Sequence, residues 1–89
     1  MRTLHLLVYD YVADVLERRG PHREGHLALL RAYQADGRAV IGGAIGDPPR
    51  GALFAFHDAA AAEAFVAEDP YVAAGLVSGR RVEPWTVVD

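Results

Sequence analysis

The chain has 89 residues and a mass of 9.6 kDa, with 52% hydrophobic and 24% charged residues and a formal charge of −3. That length accommodates one domain, spanning 1–89, whose core buries only roughly 60–65% of the surface the unfolded chain exposes, so packing against a second subunit is an expected source of stability. With no cysteine, disulfides, thiolate nucleophiles and Cys-based metal sites are excluded; with twelve acidic residues against nine arginines and no lysine, so is the basic footprint of a nucleic-acid binder.

The N-terminal residues Met1–His5 lack the apolar core of a signal peptide, and no run approaches the length of a membrane span. The expectation is a soluble, cytoplasmic protein without membrane association. Residues 3–9 read as a strand, with Leu4, Leu6 and Val8 on one face and His5, Leu7 and Tyr9 on the other. Both faces are mostly apolar, which predicts that both are covered. Residues 12–19 read as a short helical turn or ordered loop, and Gly20-Pro21 opens a helix over about 21–36. In that helix Leu27, Leu30 and Tyr33 recur at helical spacing, and Asp36-Gly37 supplies the stop.

Residues 38–46 suit a strand weakened by its glycines and kinked by a bulge, followed by a turn at Asp47–Gly51. Residues 52–57 form the third strand. Asp58 is positioned to cap a helix over 59–68 anchored by Phe65 and Val66. Asp69-Pro70 ends that helix, because the residue before proline is steered out of the helical region. A short turn over 71–77 leads to a last strand over 80–88, where Pro84 favours an edge position.

The order β-α-β-β-α-β predicts an α+β fold, a ferredoxin-like sandwich with two helices on one face of a four-stranded antiparallel sheet. The helices cover one face only. The other is expected to expose Leu7, Tyr9, aromatics of the third strand or Trp85, which predicts a homodimer joined through the open sheet faces as a dimeric α+β barrel.

This topology gathers one end of the first strand, the start of the first long helix, the end of the second and the approach to the last strand. His26 and Asp69, far apart in sequence, meet there as the best acid–base pair the chain offers. A carboxylate beside an imidazole fixes its tautomer and favours its cation, which suits a general base or acid. Tyr71, Ser78 or Arg23 would position the substrate of such a catalyst, with plain packing as the alternative for Tyr71. A histidine in a second helical turn is otherwise a packing residue, and Asp-Pro an ordinary helix stop. His22 and His26 share a face at a spacing compatible with metal ligation, but Arg23-Glu24-Gly25 lies between them and no metal-binding motif results. The glycines of Gly42–Gly46 fit no phosphate loop, and neither a metal nor an organic cofactor is expected. Arg18-Arg19 and Arg80-Arg81 are placed to meet an anionic ligand, or are simply solvated.

Arg23-Glu24-Gly25-His26-Leu27, the Gly42-Gly43 pair, the run from Phe65 through Asp69-Pro70-Tyr71-Val72-Ala73-Ala74-Gly75-Leu76-Val77, and Val82-Glu83-Pro84-Trp85 together resemble the YCII-related (YciI-like) family. The resemblance covers nearly the whole chain. It implies a ferredoxin-like fold, a dimeric α+β barrel and a pocket centred on a histidine–aspartate pair, matched here by His26 and Asp69. The family is associated with dehydrochlorination of chlorinated aromatic compounds, and similar barrels isomerise lactones. Pro21-His22-Arg23-Glu24-Gly25 departs from the Arg-Pro that relatives often carry ahead of the histidine. The implied activity is cofactor-independent proton transfer on a cyclic or unsaturated carbonyl compound, of lyase, dehydrochlorinase or isomerase type. The alternative is a non-catalytic dimer that binds a small ligand in the same pocket.

Overall fold

In the computed structural model, which describes residues 1–88, the chain begins with a ten-residue strand, β1 (Arg2–Tyr11). A single helical turn, α1 (Val15–Arg18), leads into the long helix α2 (Gly20–Ala35), with proline in its first turn. The strands β2 (Ala39–Ile45) and β3 (Gly51–Phe56) form a hairpin. Helix α3 (Ala59–Glu68), the short α4 (Pro70–Ala73) and strand β4 (Val77–Val87) complete the chain. The sheet order is β2-β3-β1-β4 with every pair antiparallel, the expected α+β sandwich. None of the helices among the described residues is long and apolar enough to cross a membrane.

Local chemistry sets the helix boundaries. The Asp58 carboxylate accepts the Ala61 N–H at 2.7 Å, capping the start of α3. Asp69 leaves the helical region at ψ 119°, as a residue before proline must, and its carboxylate then caps α4 by accepting the Tyr71 N–H. Gly37 and Gly75 take positive φ just past α2 and α4, where a side chain would be strained.

The last strand starts earlier than its sequence suggests. Ser78-Gly79-Arg80 has little intrinsic strand preference, but β1 runs on to Tyr11, and a register shift at Asp10/Tyr11 lets Tyr11 pair with Val77. The bulge expected among the glycines of β2 falls instead between Ala39 and Ile41. Pro84 does lie on an edge strand.

The faces of β1 are the reverse of the expectation. Leu7 and Tyr9 are fully buried beneath the helices, in one core with Phe54, Phe56, Phe65 and Tyr33. Leu4, Leu6 and Val8 take the open face, where register sets them beside Leu53, Ala55 and Trp85. The reason is size: the space under α2 and α3 is filled by rings, and Tyr9 packs edge-on to Phe54 with centroids 5.1 Å apart. Trp85 is exposed as expected, together with Leu53 and Ile41. From α2, the core receives His26, Leu30 and Tyr33, a stripe at i, i+4 and i+7, while Leu27 is only half-buried.

Candidate active site

Helix α2 delivers His26 into the sandwich from above, and the α3–α4 junction delivers Asp69 from the side. His26 is 5% exposed and Asp69 1%, so neither can rely on water to satisfy its polar atoms. The His26 Nδ1–H donates to Asp69 Oδ1 at 2.8 Å. The Tyr9 hydroxyl donates to Oδ2 at 2.8 Å, and the Tyr71 backbone N–H donates to Oδ1 at 3.0 Å. Both carboxylate oxygens are thus held by donors from three separate elements, an arrangement that sustains a buried carboxylate.

The imidazole is fixed as tightly as the carboxylate. Its plane lies 2° from that of the Tyr71 ring with centroids 3.9 Å apart, and the rings of Phe54 and Phe65 meet it edge-on. With an acceptor opposite Nδ1, the neutral ring carries its proton there and keeps a lone pair on Nε2. His26 also lines a cavity of about 200 Å³ between α2 and the β2–β3 hairpin. The cavity is lined by Leu30, Gly42, Phe54 and the buried Tyr71, with the half-buried Tyr11 and Arg19 and the exposed Arg23 toward solvent. A Cβ at Gly42 would approach the Phe54 ring to 2.6 Å and Leu30 to 3.0 Å, so glycine allows helix, hairpin and cavity to coexist there.

Tyr9 and Tyr11, beside the pair, are held protonated. Burial, then the negative charge of Asp69, pushes the Tyr9 hydroxyl far above its ordinary value. Burial is also the main cause for Tyr11, reinforced by Tyr71 and Asp69 and opposed by the nearby Arg19 and Arg23 guanidinium groups. The Tyr71 hydroxyl is fully buried without a hydrogen-bond partner among the described residues.

Of the residues singled out from sequence, His26 and Asp69 are in contact, and Arg23 and Tyr71 line the same cavity. Ser78 does not join them. It is exposed on β4, outside the cavity lining, and its hydroxyl donates to the Asp10 carbonyl at 3.2 Å, a consequence of the early start of that strand. Arg18 is turned away, bonded to Asp14 and to the Ala74 carbonyl, whereas Arg19 lines the cavity. Tyr9 and Tyr11 were not anticipated as site residues. Their i, i+2 spacing at the end of β1 was the available signal, since it puts both on one face. Among the described residues, no three His, Asp or Glu side chains converge as a metal site would require.

The sequence matches the model of the YCII-related domain over residues 3–86. It is 36% identical to a protein of Haemophilus influenzae, with 86% of this chain and 90% of that protein covered. It is 32% identical to Protein YciI of Escherichia coli, covering 96% of this chain and 98% of the relative. Among solved structures, 5-chloro-2-hydroxyhydroquinone dehydrochlorinase (TftG) from Burkholderia phenoliruptrix, in complex with 2,5-dihydroxybenzoquinone, superposes with a TM-score of 0.75 at 25% identity, with 93% of each chain covered. An antibiotic biosynthesis monooxygenase shares the fold at a TM-score of 0.57 and 11% identity, over 98% of this chain and 99% of that one.

Proposed function

The chain belongs to the YCII-related family, and from that premise we propose that it is a cofactor-independent enzyme of lyase, dehydrochlorinase or isomerase type, acting on a cyclic or unsaturated carbonyl compound. The observation that carries this reading is the 2.8 Å bond from His26 Nδ1 to a buried Asp69 on a histidine that lines a cavity. His26 Nε2 removes a proton from the substrate, and the imidazolium so formed is stabilised by the Asp69 carboxylate. In an isomerisation the same proton returns to another substrate atom. In a dehydrochlorination it leaves with the histidine while the carbon–chlorine bond breaks and chloride departs with the bonding pair. Arg23 and Tyr71, on the cavity wall, position the substrate.

The cavity supports a small substrate. A space of roughly 150 Å³ admits benzene, and drug-sized ligands occupy about 300 Å³ or more; about 200 Å³ therefore suits a single substituted ring. The likeness to TftG, a dehydrochlorinase with a dihydroxybenzoquinone bound, supports the same class of compound. We further propose that two copies associate through the open sheet face, where Ile41, Leu53 and Trp85 are exposed on a strand surface no helix covers.

The test is a screen of chlorinated hydroxyaromatics and lactones with the wild type and His26→Asn, following chloride release and ring absorbance. Turnover by the wild type that falls about 10²–10⁴-fold in the variant is the expected result. Binding without turnover by the wild type would make the protein a ligand-binding module instead.

A further inference from the structure

Two residues of the cavity lining carry positive charge without an ion-pair partner among the described residues. Arg19, half-buried, and Arg23, one helical turn on, both line the cavity. Arg18 pairs with Asp14, Arg38 with Asp36 and the face of Tyr33, and Arg81 with Glu83; Arg31, Arg50 and Arg80 lack an ion pair among the described residues but lie outside the cavity lining. Neither Arg19 nor Arg23 has an ion-pair partner among the described residues. The one carboxylate at the site, Asp69, already has both oxygens occupied by Tyr9, His26 and the Tyr71 N–H. A chain with a net charge of −3 thus places two uncompensated positive charges at the mouth of its cavity.

Tyr11 lines the same cavity, its ring edge-on to that of Tyr71 with centroids 5.9 Å apart, and it feels the charges of Arg19, Arg23 and Asp69. Its hydroxyl makes no hydrogen bond to another described residue and, held protonated by burial, is a neutral donor. We propose that Arg19 and Arg23, with the Tyr11 hydroxyl, form an anion-recognition rim, so that the compound this cavity takes carries an ionised oxygen, an enolate, phenolate or carboxylate. The inference rests on the reading of the cavity as a substrate site and narrows the substrate class. A guanidinium is the suited group, since it stays charged at every accessible pH and donates in a fork to oxyanions. The rim also offsets the repulsion that an anionic ring would meet from Asp69.

Calorimetric titration of the whole chain with two probes tests this. One is 2,5-dihydroxybenzoquinone, whose oxygens are ionised at neutral pH; the other is its dimethyl ether, the same ring without ionisable oxygen. The dihydroxy compound is expected to bind about tenfold or more tightly than the ether, and added salt to reduce that preference. Arg19→Gln and Arg23→Gln are each expected to lower affinity for the dihydroxy compound more than for the ether, and so to reduce the preference. Equal affinity for both probes, binding of neither, or a preference that persists through high salt and both substitutions overturns the proposal. The wild-type salt series stands even if an arginine variant fails to fold. His26→Asn separates this inference from the acid–base reading, whose failure appears in turnover and not in probe selectivity. A preference lost in His26→Asn but kept in both arginine variants also overturns the rim, because the imidazolium would then be the anion's partner.

Discussion

The imidazole of His26 lies flat on the ring of Tyr71, with centroids 3.9 Å apart and planes 2° from parallel. That contact makes Tyr71 two things at once, a wall for the histidine and a buried hydroxyl with no partner among the described residues. The two roles separate by substitution. Tyr71→Phe keeps the ring and removes an unsatisfied polar atom, so it is expected to raise stability by about 1 kcal/mol and leave any turnover within a few-fold. Tyr71→Ala removes the ring and is expected to cost roughly 3–5 kcal/mol. Urea unfolding of both variants decides it, and a destabilised Tyr71→Phe would show that the hydroxyl has a partner in solution.

The Asp69 carboxylate accepts three hydrogen bonds and donates none. Asparagine has one acceptor oxygen and would turn an N–H₂ toward a donor, so Asp69→Asn leaves at least one of Tyr9, His26 or the Tyr71 N–H unsatisfied. The expected loss is about 2 kcal/mol or more of stability and about 10²-fold or more of any acid–base turnover. Imidazole ¹⁵N shifts report the cause directly. In the wild type the neutral His26 should be protonated at Nδ1, and in Asp69→Asn that preference should weaken. An unchanged tautomer in the variant would mean that Asp69 does not orient the ring.

How far these relationships can be read from sequence depends on which rule decides each one. Element order brings His26 and Asp69 to one end of the sheet, because a β-α-β-β-α-β chain sets the start of its first long helix near the end of its second; the contact itself is a matter of packing. The facing of β1 is not set by element order. Leu4, Leu6 and Val8 are as apolar as Leu7 and Tyr9, so alternation marks two faces without saying which lies inward. Ring packing against Phe54 and Phe65 makes that choice, and it is a tertiary effect. The opposite facing, which alternation by itself equally allows, puts Tyr9 at the interface rather than on the Asp69 carboxylate, where it lies. Ser78 was misplaced for a related reason: pairing with β1 imposed strand on residues whose own preferences are for loop.

Tyr9 links the site to pH. Burial and the Asp69 charge raise its folded-state value above the ordinary 10.0, so the folded protein keeps a proton that the unfolded chain releases. The stabilisation is therefore fully present below pH 10 and declines as pH rises beyond it. Tyr11 is shifted in the same direction and adds to the decline. Unfolding free energy measured on either side of pH 10 should fall for the wild type, and Tyr9→Phe should fall less steeply, by about 1.4 kcal/mol per pH unit for the one proton removed. The same slope in both proteins would mean that Tyr9 ionises as readily folded as unfolded.

The proposed dimer is tested on the open sheet face. Trp85 is 44% exposed and Leu53 40%, on a strand surface where Leu4 and Val8 lie with them. Exposed apolar side chains grouped on one face of a sheet are stabilised by meeting a second such face, and a two-fold axis makes each copy's patch complementary to its partner's. A charge placed in that contact would be desolvated without a partner. Leu53→Glu is therefore expected to shift the protein from dimer to monomer in sedimentation velocity, while the helix-facing core built on Phe65 and Tyr33 keeps its circular dichroism. Leu53 points away from that core, so loss of fold is not the expected cost. A wild type that sediments as a monomer at every concentration, or a Leu53→Glu variant that remains dimeric, would place the interface elsewhere or remove it.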